Sequence, residues 1–84
     1  MKITVKYFSW IRVKLNKYED LFDVDDKFNF KDFKSYLIER DNFYLEVFND
    51  DSIKFFINFK EIANEDIKLF DGDELGILPP VTGG

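Results

Sequence analysis

The sequence predicts an α+β fold, with a mixed sheet of four to five strands packed on one main helix. Three features predict it. Residues alternate between apolar and polar from Lys2 to Phe8, the period of a half-buried strand. Phe30, Phe33 and Leu37 follow at i, i+3 and i+7, which makes an apolar helical stripe. The element order is strand, strand, helix, strand, short strand, strand, and the right-handed crossover rule sets the helix between strands that can be parallel neighbours.

In the first strand, Ile3, Val5 and Tyr7 share the inward face, with Lys2, Thr4 and Lys6 opposite. Phe8 breaks the pattern by falling on the polar face. Ser9 is a candidate cap for a short helical turn through Trp10, Ile11 and Arg12, and Asn16-Lys17 reads as a turn. Tyr18 to Val24 is expected as a second strand, antiparallel to the first, with Phe22 and Val24 inward; Leu21 fits less well. Asn29 caps the main helix, and Asp32 three residues on completes a weak relative of the capping box. Tyr36 lies beside the aromatic stripe, Arg40 suits the last turn, and Asp41-Asn42 ends the helix.

Phe43 to Phe48 reads equally as a strand or an irregular connection, and Asn49 to Ser52 as a turn cluster. Ile53 to Phe59 is a third strand with Ile53, Phe55 and Ile57 inward, followed by a tight turn over 58–60 and a short strand near Ile62. Asn64 to Phe70 reads as a loop or a short helical turn. Asp71-Gly72-Asp73 is a turn in which glycine is free to take positive φ. Leu75 to Leu78 is the last strand, with Leu75 and Ile77 inward.

Eighty-four residues make one domain, and 45% hydrophobic residues are enough for a globular core. Eleven Phe, four Tyr and one Trp supply large buried areas to a chain with no disulfides. The absence of Cys removes thiolate metal sites and a cysteine nucleophile; the absence of His removes the usual general base. A net charge of −5 argues against nucleic acid, whose phosphates need clustered cations. No signal peptide and no run long enough to span a bilayer is visible, so the expected place is the cytoplasm, away from membranes. The carboxylates at 23, 25 and 26 and at 50 and 51 lack the glycine and closing glutamate of a calcium loop; they read as solvated charge, and no metal is expected.

The chain closes on Leu78-Pro79-Pro80-Val81-Thr82-Gly83-Gly84. Each proline fixes φ and donates no ladder hydrogen bond, so the exit from the last strand is held extended. Two glycines then make a tail thin enough for a channel that excludes any Cβ. The carboxylate of Gly84 is the reactive group such a tail (79–84) presents.

Leu69-Phe70-Asp71-Gly72-Asp73-Glu74-Leu75 followed by Pro79 to Gly84, together with Tyr7-Phe8-Ser9-Trp10-Ile11-Arg12 and Ile57-Asn58, resembles the ubiquitin-like β-grasp sulfur carriers of the MoaD/ThiS type. The closest likeness is to the small subunits of molybdopterin synthase. The chain departs from that pattern in its aromatic load and in Phe59-Lys60, where a glycine or small polar turn is common. The resemblance implies a mechanism. An E1-like adenylyltransferase joins the Gly84 carboxylate to AMP from ATP, a sulfur donor displaces AMP, and the thiocarboxylate gives sulfur to a pterin precursor inside the large synthase subunit. ATP is then used by the activating enzyme, and no cofactor is bound by this chain. In a β-grasp sheet the first and last strands are neighbours. Phe8 and Leu78 would then meet on the outer face, with Phe56 or Ile62 nearby, as a docking patch for those partners. The rival expectations are a thiamine-type or other sulfur carrier, a ubiquitin-like protein modifier joined through Gly84 to lysines, and a passive adaptor.

Overall fold

Strand β1 (Lys2–Tyr7) runs through the sheet with Ile3, Val5 and Tyr7 fully buried, as the alternation requires. The computed structural model describes residues 1–80. β1 pairs antiparallel with β2 (Glu19–Asp23) and parallel with β5 (Glu74–Leu78). β5 also pairs antiparallel with β3 (Lys54–Ile57), which pairs with the two-residue β4 (Lys60–Glu61). The five-stranded mixed sheet has the order β2-β1-β5-β3-β4.

The main helix α2 (Phe30–Arg40) begins with a complete capping box. Asn29 accepts from the Asp32 backbone N–H, and Asp32 accepts from the Asn29 N–H. Phe30, Phe33 and Leu37 are buried against the sheet, so the predicted stripe faces the core. Phe22 meets Phe33 and Tyr36 edge-on at 5.9 Å, and Phe33 stacks on Tyr36.

Four expectations need correcting. The strand expected to run to Phe8 ends at Tyr7, and Phe8, still extended at φ −130°, occupies the N-cap of α1 (Ser9–Leu15). Ser9 is therefore inside the helix and caps nothing. The helix outruns Arg12 because Asn16 takes the left-handed conformation (φ 57°) and closes it: Asn16 N–H donates to Val13 and Lys17 N–H to Arg12. Phe43 to Phe48 is neither strand nor irregular but helix α3 (Phe43–Asn49). Asp41 explains it. Its N–H ends α2 on the Leu37 carbonyl, while its carboxylate accepts from the Phe43 N–H and its carbonyl from Tyr44. Tyr44 and Val47, one turn apart, then face the core.

The Tyr44 hydroxyl lies 2.6 Å from that of Tyr7, and Tyr7 donates to Asp20 at 2.8 Å. Asp20 also pairs with Lys17 at 2.9 Å. Because a carboxylate only accepts, Tyr7 spends its proton on Asp20 and Tyr44 donates to Tyr7. Burial, and then the hydrogen bond that Tyr7 donates to the Asp20 carboxylate, hold the Tyr7 phenol far above its usual range.

Candidate functional site

Even-numbered residues of β1, β3 and β5 point away from the helices, and that face carries the site. Register places Lys6 and Phe56 on either side of Gly76. Phe8, Phe56, Phe59, Leu78, Gly76, Lys6 and Glu74 line one groove of about 340 Å³. Gly76 is its floor. A Cβ there would meet the Leu78 Cδ1 at 3.3 Å and the Phe8 ring at 3.6 Å, so glycine keeps the groove open.

Phe8 and Leu78 stand at the end of the groove where β5 leads into Pro79 and Pro80. Arg12 backs Phe8: its Nε donates to the Tyr7 carbonyl at 3.2 Å, and its guanidinium lies 5.6 Å from the Phe8 ring and 4.6 Å from that of Tyr18. The other end is bounded by Phe59 and by the Lys6–Glu74 ion pair at 3.3 Å, whose charges neutralise each other. Phe59 sits at φ 70° beside Asn58 at φ 50°, the two central positions of a two-residue hairpin turn. A side chain in that region costs about 1–2 kcal/mol relative to glycine. The ring recovers little by packing, being 90% exposed.

The acidic turn before β5 fixes these strands. Gly72, at φ 88°, lets the turn close, and Asp71 accepts from the Lys2 N–H at 2.7 Å. The buried Asp73 carboxylate accepts from Asn58 Nδ2 at 2.9 Å and from the Phe70 N–H at 2.8 Å. Asn58 in turn accepts from the Glu74 N–H at 3.0 Å, which clasps the hairpin to β5.

Of the residues singled out in the sequence, Phe8, Leu78 and Phe56 are brought together. Ile62 is not; its N–H pairs with the Phe55 carbonyl and its side chain packs against the core. Pro79 is buried and Pro80 exposed. Val81, Thr82, Gly83 and Gly84 lie outside the described residues. Gly76 and Phe59 joined the groove without being foreseen there. The signal for Gly76 was a glycine amid strand residues, which marks a close approach; for Phe59 it was the departure from a small turn residue.

The other carboxylate clusters are occupied locally. Asp23 and Asp26 pair with the Met1 ammonium, Asp25 accepts from the Lys27 N–H, and Asp50 accepts from the Ser52 N–H and hydroxyl. Among the described residues no group of three or more metal-ligating side chains converges, and no helix is long and apolar enough to cross a membrane.

The ThiS family profile matches residues 5–84. A search of curated proteins gives no match. Among solved structures, small archaeal modifier protein SAMP1 of Haloferax volcanii superposes with a TM-score of 0.82 at 26% identity, covering 100% of both chains. SAMP1 of Methanosarcina acetivorans gives 0.74 at 26%, covering 99% of this chain and 96% of that one. A chain of the Helicobacter pylori complex of molybdopterin-converting factor subunits 1 and 2 gives 0.70 at 24%, covering 100% of both, a likeness of fold.

Proposed function

The chain belongs to the ThiS family, and on that premise we propose that it is a sulfur carrier serving as the small subunit of a molybdopterin synthase. The Gly84 carboxylate attacks the α-phosphate of ATP on an E1-like adenylyltransferase, releasing pyrophosphate and leaving an acyl-adenylate. Hydrosulfide supplied by a sulfur donor attacks the acyl carbon, the bond to AMP breaks, and a thiocarboxylate remains. The tail then enters the large subunit, where the sulfur passes to a pterin precursor in molybdenum or tungsten cofactor biosynthesis. The acids, the bases and the ATP site belong to the partners. A chain with neither His nor Cys supports that division of labour.

The observation that carries this reading is the apolar groove beside β5, from which the chain continues directly into Pro79-Pro80-Val81-Thr82-Gly83-Gly84. A protein that takes the tail has Phe8, Leu78 and Phe56 within its reach as a recognition patch. Reconstitution with the large subunit tests it: the thiocarboxylated chain should support formation of the pterin dithiolene. Deleting Gly84 should abolish that product and leave the melting midpoint unchanged. Full product formation by the truncated chain contradicts the reading.

A second reading has a specific observation in its favour, the likeness to two archaeal modifier proteins at 26% identity. Under it Gly84 forms an isopeptide bond with target lysines. Lysine adducts of this chain in its own cells would support it.

A further inference from the structure

We propose that Phe59 is a docking anchor, its ring closing over an apolar side chain of the synthase large subunit that enters the groove above Gly76. The assignment rests on the sulfur-carrier reading and adds to it a residue that sets partner specificity.

Asn58 and Phe59 both have positive φ, at 50° and 70°. Asn-Gly is the pair a two-residue hairpin of this kind favours, because glycine meets no steric cost there. A phenylalanine in the second position is strained, and its ring, 90% exposed, gains little from its own fold. Strain without internal return is the mark of a residue held for contact with something else.

The groove says what that contact is. Its walls are three phenylalanines and Leu78 over a glycine floor, so it accepts an aliphatic or aromatic side chain. Its one ion pair, Lys6–Glu74, is already neutralised and asks no charge of the occupant.

The tail says which protein supplies it. The six residues 79–84 reach at most about 20 Å from Leu78. A protein enclosing the Gly84 carboxylate therefore lies within that distance of the end of β5, where the groove's exposed apolar face is the surface next to the tail. Phe59 stands at the Glu74 end of that face, four residues back along β5 from Leu78, or about 13 Å. Phe8 and Phe59 thus bracket the groove, one next to the tail and one remote from it.

Titration calorimetry against the large subunit from the same organism, paired with thermal melts, tests the assignment. Phe59→Gly should bind about tenfold more weakly or worse, with a melting midpoint about 4–8 °C higher as the turn relaxes. Phe59→Asn, also tolerated at positive φ, should lose affinity alike, and Phe59→Tyr should keep it. Phe59→Gly binding within twofold of the parent chain overturns the anchor while the carrier reading stands. So does a melting midpoint that falls together with affinity, because Phe59 would then be part of the fold's own packing. Failure of the parent chain itself to bind overturns both.

Discussion

The two faces of one sheet divide the work. On the helix side Ile3, Val5, Tyr7, Leu75 and Ile77 are buried with Phe30, Phe33 and Leu37 above them. On the other side Lys6 of β1 and Gly76 and Leu78 of β5, with Phe56 of β3 and Phe8 just past β1, line the open groove. Strand alternation makes the two faces independent: a residue changed on one leaves the other's side chains in place. Under the proposed function, stability and recognition occupy interleaved positions, one residue apart, and should be separable by mutation.

The largest expected effect lies on the covered face. Phe33→Ala should cost about 3–5 kcal/mol, a large part of the roughly 4–13 kcal/mol such a domain has at 0.05–0.15 kcal/mol per residue. Denaturant titration checks it, and the fraction still folded should bind the large subunit normally. Next is the open face. Phe8→Asp should weaken that binding about a hundredfold, since it buries an unpaired charge at the contact, while stability changes by less than about 1 kcal/mol. A loss of stability as large as that of Phe33→Ala would mean that the faces are not separable.

Asp73 belongs to neither face but holds the hairpin to β5, and the comparison sharpens there. Asp73→Asn keeps the shape yet turns an amide N–H toward a donor, either the Asn58 side chain or the Phe70 N–H. A loss of about 1–3 kcal/mol should follow in the same denaturant titration. The smallest effect is on pH. The folded Tyr7 phenol is raised well above its ordinary value of about 10. Its contribution to stability is thus complete below pH 10 and lost as pH rises beyond it, because the unfolded chain ionises first. Melting midpoints of the wild type should fall between pH 9 and 11 more steeply than those of Tyr7→Phe, roughly speaking, by this linkage.

Much of this was legible because local chemistry and global packing agree. The alternation from Lys2 to Tyr7, the stripe of Phe30, Phe33 and Leu37, and the box of Asn29 and Asp32 each have a local cause. The helix at Phe43–Asn49 was not legible, because Phe43 and Leu45 blur the one-turn spacing of Tyr44 and Val47. Its inward face is chosen by a distant partner, the Tyr7 hydroxyl. Ile62 was misplaced for a related reason: a strand of two residues is too short to show which way it alternates. In the candidate site, Phe8 and Leu78 stood out as apolar residues on a polar face. Gly76 and Phe59 acquired their place only through the pairing of β5 with β3 and the turn that follows.

The claim on which the account rests is that the reacting atom is a main-chain oxygen of Gly84. Intact-mass spectrometry after incubation with the activating enzyme, ATP and a sulfur donor measures this directly. The account predicts a shift equal to exchanging one oxygen for one sulfur, with the change confined to the last residue on fragmentation. An unaltered mass under conditions that thiocarboxylate another carrier of the family contradicts it.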